Sequence, residues 1–127
     1  MKTKNNSKFL APNKAFQLFG AYSLHEKNSY DFLRTVSKLD REEAASMFAV
    51  RDCIKALRAI GEKESLEAMN KIYFNNPDKS SSGSITRAVT RFALAAYLDE
   101  RTVYRRIERA SKIYLAIIEN NKQDIAA

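Results

Sequence analysis

Residues 98–110 read LDERTVYRRIERA, with Arg101, Arg105, Arg106 and Arg109 threaded through Val103 and Ile107. With Val103 at zero and about 100° per residue, Ile107 falls near +40°, Ala110 near −20°, Tyr114 near +20° and Ile117 near −40°. These positions form one narrow apolar stripe, which predicts a helix over 100–119 with a buried seam. Arg101 falls at roughly 160°, Arg105 at −160°, Glu108 at 140° and Lys112 at 180°, with Tyr104 and Arg109 at the margins. Opposite the seam therefore lies a face dominated by cations, either a solvated surface or a surface suited to a polyanion.

Upstream, Ile85, Val89, Phe92 and Ala93 share one helical face, with Ala96 behind, and predict a helix over 85–97 that breaks at Leu98–Asp99. The polar run NNPDKSSSGS, 75–84, is the one clear loop, and Ser82 or Ser84 can cap the helix after it. Before the loop, Leu66, Met69, Ile72 and Tyr73 recur on one face of a helix over about 62–74. Asp40 followed by Glu43 is a D-x-x-E capping box, which opens a helix over 41–60. That helix buries Ala44, Met47, Phe48, Cys53 or Ile54, Leu57 and Ile60, and Gly61 suits its C-terminal positive-φ position. Phe32, Leu33, Val36 and Leu39 line a helix after Ser29. Phe16, Phe19 and Tyr22 line a first helix capped by Asn13 and weakened by Gly20. No stretch alternates as a strand does. The expected fold is all-α, five or six helices ending in a helix-turn-helix.

Three glycines and two prolines in 127 residues favour helices, and a hydrophobic content of 45% supports a real core. A single cysteine excludes an internal disulfide and fits a reducing cytoplasm. No apolar run is long enough for a bilayer span, and MKTKNNSKFLAPNK lacks the apolar region of a signal peptide. The expectation is a cytoplasmic protein with no membrane partner.

The net charge of +7 is unevenly placed: +4 in residues 1–14, zero in 15–76, and +4 in 84–114. This divides the chain into a basic flexible tail (1–14), a helical support or partner-contact module (15–75) and a cationic C-terminal unit (76–127). Segregated positive charge is the footprint of a nucleic-acid binder.

Two helices across a short turn, the second amphipathic and basic, match the logic by which a recognition helix enters the major groove. In that reading Arg87, Arg91, Arg106, Arg109 and Lys112 neutralise phosphates. Glu100, Arg101, Thr102, Tyr104 and Arg105 begin the recognition helix and face bases, and Glu108 sits at the edge of the same surface.

The run YLDERTVYRRIERASKIYLAI resembles the last helix-turn-helix of sigma-factor region 4. More closely, it resembles the C-terminal end of phage activators of the RinA and ArpU type, with KIYF at 71–74, a loop at 75–84 and DERTV at 99–103. The match covers roughly residues 50–118. The turn departs from the pattern, with AAYLDE where a glycine-containing sequence is common, and the loop is long and polar. The resemblance implies a double-stranded DNA-binding transcriptional regulator of phage or prophage genes, acting beside RNA polymerase. Such domains often work as homodimers. The apolar run IYLAII, 113–118, could supply a dimer seam or pack on the chain's own first helices.

A rival of another class is a helical protein-interaction module that inhibits an acidic host protein. RNA is a weaker reading, because no aromatic-rich platform for unstacked bases stands out. Catalysis finds no support: there is no Cys/His metal spacing, no phosphate-cradling glycine loop and no nucleophile–base pair, so no cofactor and no enzymatic activity are expected. His25 stands alone, and Cys53 reads as a small buried apolar group.

Overall fold

Local signals start and stop most of the helices. Asn28 Oδ1 accepts from Asp31 N at 2.8 Å, and Asp40 Oδ1 accepts from Glu43 N at 2.8 Å, so each side chain satisfies a donor that its helix leaves orphaned. The computed structural model describes residues 8–78 and 83–126. Its helices are α1 (Pro12–Ala21), α2 (Ser29–Val36), α3 (Arg41–Ala59), α4 (Lys63–Met69), α5 (Ser84–Ala96) and α6 (Glu100–Ala126). A short 3-10 turn, Leu24–Glu26, lies between α1 and α2, and α4 runs on into a π-helical turn, Asn70–Phe74. No strand occurs among the described residues, and the fold is all-α.

Several boundaries differ from the sequence expectation. Pro12, with its missing N–H and fixed φ, opens α1, so Asn13 lies inside the helix. Instead, Asn13 Oδ1 accepts from the Tyr73 hydroxyl at 2.7 Å. In α2 only Phe32 and Val36, four residues apart, reach the core, and Leu33 is 50% exposed. α3 ends before Ile60, which is 61% exposed rather than buried. Gly83, not a serine, precedes α5, and Ser84 is its first residue; Ser82 lies outside the described residues. Ala96 is exposed.

The helix ends at α3 and α5 share one device. Gly61 takes φ +79°, Glu62 N donates to Leu57 O at 2.9 Å, and Gly61 N donates to Arg58 O at 3.2 Å. This is a Schellman closure around a residue in the left-handed region. At the end of α5, Tyr97 takes φ 58°, Leu98 N donates to Ala93 O at 2.9 Å, and Tyr97 N donates to Leu94 O at 3.3 Å. The turn therefore keeps the geometry that a glycine usually provides, with a tyrosine in the strained position.

One core runs through the whole described chain. Buried residues of α1, α3, the α4–π segment, α5 and α6 form a single cluster, so the core does not divide near residue 76. Phe9 and Leu10 pack against it, so the end of the expected flexible tail belongs to the fold; residues 1–7 lie outside the described residues. Leu10 is held at both backbone atoms: its N–H donates to Ser46 Oγ, and its carbonyl accepts from the Tyr114 hydroxyl, each at 2.8 Å.

The π turn places Ile72, Tyr73 and Phe74 consecutively in the core, with Asn75 N donating to Asn70 O at 2.7 Å. Gly20, which weakens α1 by propensity, is buried directly against the Tyr73 carbonyl, where a Cβ would collide with backbone. Helix propensity alone would gain roughly 1 kcal/mol from an alanine at this position. The collision dominates, so Gly20→Ala should lower stability by about 1–3 kcal/mol in urea denaturation. Tyr97→Gly should raise it by about 1 kcal/mol by removing the left-handed penalty.

Burial raises three proton-bearing groups, each to about 12: the Cys53 thiol and the hydroxyls of Tyr73 and Tyr114. Folding keeps these protons to a higher pH than the unfolded chain does, so stability should decline as pH rises from about 9 toward 12. Urea midpoints measured across that range check the slope. At pH 8 a thiol reagent should leave Cys53 untouched in the native chain and modify it fully in urea.

Candidate nucleic-acid interface

The seam of α6 fixes which of its cations face outward. Val103, Ala110 and Tyr114 are fully buried, and Ile107 and Ile118 nearly so. Cys53 Sγ of α3 lies 3.4 Å from the Ala110 carbonyl. Ile113, Tyr114, Ile117 and Ile118 are engaged with the chain's own core, so of the two expected roles for residues 113–118 the internal one is observed.

The connection from α5 to α6 is three residues, Tyr97–Asp99. Asp99 Oδ1 accepts from Thr102 N at 2.8 Å and caps α6. That hydrogen bond is the main influence holding the Asp99 carboxyl below its ordinary range, with help from the nearby Arg101 and Arg105 charges. Across the turn, Thr90 Oγ1 donates to Glu100 Oε2 at 2.9 Å. Glu100, expected to face bases, is thereby tied to α5. Thr102 is half-buried in the first turn, and Tyr104 is 44% exposed.

The arginines divide into two groups. Arg109 Nη1 lies 3.1 Å from Glu62 Oε1, and Arg106 Nη2 lies 3.7 Å from Glu64 Oε2, so both reach the start of α4. Arg87 Nε lies 2.6 Å from Asp78 Oδ2, and that bond raises the guanidinium further above its already high range. Arg91 Nη2 donates to Asn76 Oδ1 at 2.8 Å; Asn76 is buried and also accepts from Asp78 N, so Arg91 braces the 75–78 segment. Four of the five residues expected to neutralise phosphates thus have internal partners.

By contrast, Arg101, Arg105 and Lys112 are exposed and make no ion pair among the described residues. They stand opposite the seam within an arc of about 40°. Arg101 and Lys112 are separated by roughly 16 Å along the helix axis at 1.5 Å per residue. Glu108 is exposed on the same face and makes no ion pair among the described residues. Sequence reasoning passed over two exposed apolar neighbours at the end of α5, Leu94 (73%) and Tyr97 (95%). An aromatic residue at the expected glycine position of the turn was the available signal for Tyr97. No group of three or more His, Cys, Asp or Glu is placed to hold a metal among the described residues. None of the described helices is long and apolar enough to cross a membrane.

Each α4–α6 pair has one exposed partner, Glu64 at 70% and Arg109 at 60%, and pairs that water reaches contribute about 0–1 kcal/mol. Glu62→Gln and Glu64→Gln should each change stability by less than about 1 kcal/mol in urea denaturation, in contrast to Gly20→Ala.

No family model, curated protein or solved structure matches this chain, so the likeness to phage activators stands on the short motifs at 71–74 and 99–103.

Proposed function

We propose that this chain is a sequence-specific double-stranded DNA-binding regulator of transcription that uses the exposed face of α6. The observation that carries the reading is the line of Arg101, Arg105 and Lys112, which stays clear of ion pairs while Arg106 and Arg109 on the same helix are engaged with α4. A three-residue turn and a preceding basic helix, α5, support a helix-turn-helix mode of docking.

Arg101 and Arg105, in the first two turns of α6, are the readers of base edges, since arginine bonds guanine O6 and N7 bidentately. Tyr104 flanks them. Lys112 adds phosphate contact, with counterion release. Arg87, Arg91 and Arg109 contribute by exchanging an internal partner for a phosphate or by adding field. By the likeness to phage activators, the target genes are those of a phage or prophage and the working partner is RNA polymerase. A homodimer would require a surface other than the seam of α6.

Exposed Leu94 and Tyr97 beside the cationic face favour a second reading, a docking surface for an acidic protein. Fluorescence anisotropy against a selected pool of duplexes, at two salt concentrations, separates the two. The expected result is sequence-dependent binding that survives physiological salt. Uniform binding that disappears with salt would leave the protein-docking reading.

On the preferred duplex, Arg101→Ala and Arg105→Ala should each cost about 1–3 kcal/mol and relax specificity. Lys112→Ala should weaken all duplexes about equally and reduce the salt slope by about one. Equal losses on specific and random DNA for all three variants would overturn this division of roles.

A further inference from the structure

Arg51, Ile54, Lys55 and Arg58 recur at helical spacing along α3. At about 100° per residue Arg51, Lys55 and Arg58 lie on the side of α3 opposite Cys53, the residue that meets α6, with Ile54 at the edge of that side. They line a cavity of about 560 Å³, together with Lys27 and His25 from the connection between α1 and α2. Ile54 and Leu66 are its partly exposed apolar lining, over the buried edges of Phe19, Phe32 and Phe74. None of the lining residues is a carboxylate, so the cationic groups converge there without an acid among them.

Two nitrogens of its lining residues, Arg51 Nε and His25 Nδ1, are buried without a hydrogen-bond partner among the described residues. Both side chains are held in place. The Arg51 guanidinium lies 4.6 Å from the Phe32 ring centre and 5.1 Å from that of Phe48. The His25 ring stacks on Phe74 at 5.3 Å and 16°, and its Nε2 lies 3.3 Å from Asn75 Oδ1. The nearest acid to that ring is Glu26, 3.6 Å from the same Nε2 and outside the cavity lining. Neither atom has accessible surface, so what the cavity presents to a ligand is its lining charge, which is of a single sign.

We propose that this cavity binds a small phosphorylated molecule with a modest apolar body, of mononucleotide size. The volume lies within the range of small-molecule sites. A phosphate monoester brings close to two negative charges and three acceptor oxygens, which suits Arg51, Lys55, Arg58 and Lys27 better than a single carboxylate does. Ile54 and Leu66, both partly exposed, take the apolar body. The site lies on the far side of α3 from α6, so it stands or falls independently of the DNA-binding reading.

The test is calorimetric titration of the full chain with each of four ribonucleoside monophosphates, with adenosine and inorganic phosphate as controls. At least one monophosphate should bind with 1:1 stoichiometry, about tenfold or more tighter than inorganic phosphate, and adenosine should bind weakly or not at all. The double variant Lys55→Gln/Arg58→Gln, at two exposed positions, should weaken that binding by about tenfold or more without changing the unliganded melting temperature. The double variant Arg101→Ala/Arg105→Ala should leave it unchanged. The proposal is overturned if no monophosphate saturates the chain, if inorganic phosphate binds as tightly, if Lys55→Gln/Arg58→Gln binds as before, or if the α6 variant abolishes the binding.

Discussion

Tyr114 fixes the rotation of α6, and the placement of that helix's exposed cations follows from it. Its ring is fully buried and meets Phe16 edge-on at 5.7 Å and 70°, while its hydroxyl donates to the Leu10 carbonyl. An α-helix advances about 100° per residue, so fixing one side chain inward fixes every other side chain on the helix. Arg105, nine residues earlier, is carried to the opposite side. The last described helix is thus seated on α3 and reaches α4, with Leu10 and Phe16 fastening it at Tyr114.

The structure also sorts cations that look equivalent in the sequence. Arg105 and Arg106 are adjacent, yet one is exposed and unpaired while the other is largely covered and near Glu64. Acidic residues at the start of α4 temper one flank of α6 and leave the line opposite the seam untouched. The exposed, unpaired positive charge of α6 is thereby confined to one line, with Glu108 at its edge.

What could be read in advance was whatever depends on near neighbours in the chain. The Asp40–Glu43 cap, the positive φ of Gly61 and the seam Val103–Ile107–Ala110–Tyr114 are all set within one or a few helical turns. The left-handed Tyr97 was hidden, because the residue type there argues against the conformation it adopts. The π turn at 70–74 was hidden as well, since its three consecutive buried side chains depend on the space that Gly20 leaves. The partners of Arg106 and Arg109 lie more than forty residues away. The stripe Arg51–Lys55–Arg58 was visible as spacing, but it lies in a segment of zero net charge. Residues distant in the chain, Lys27 and His25 among them, turn it into a cavity.

The chain contains no tryptophan, and Tyr97 is almost wholly exposed at the hinge between α5 and α6. An indole placed there would be the sole emitter of its kind, beside the cationic face yet outside the core. Its wavelength and quenching would record what approaches that face, nucleic acid or protein, with no external label and no background from the interior. The position at which the turn tolerates an unfavourable residue is thus also where the molecule can most readily be given an optical reporter.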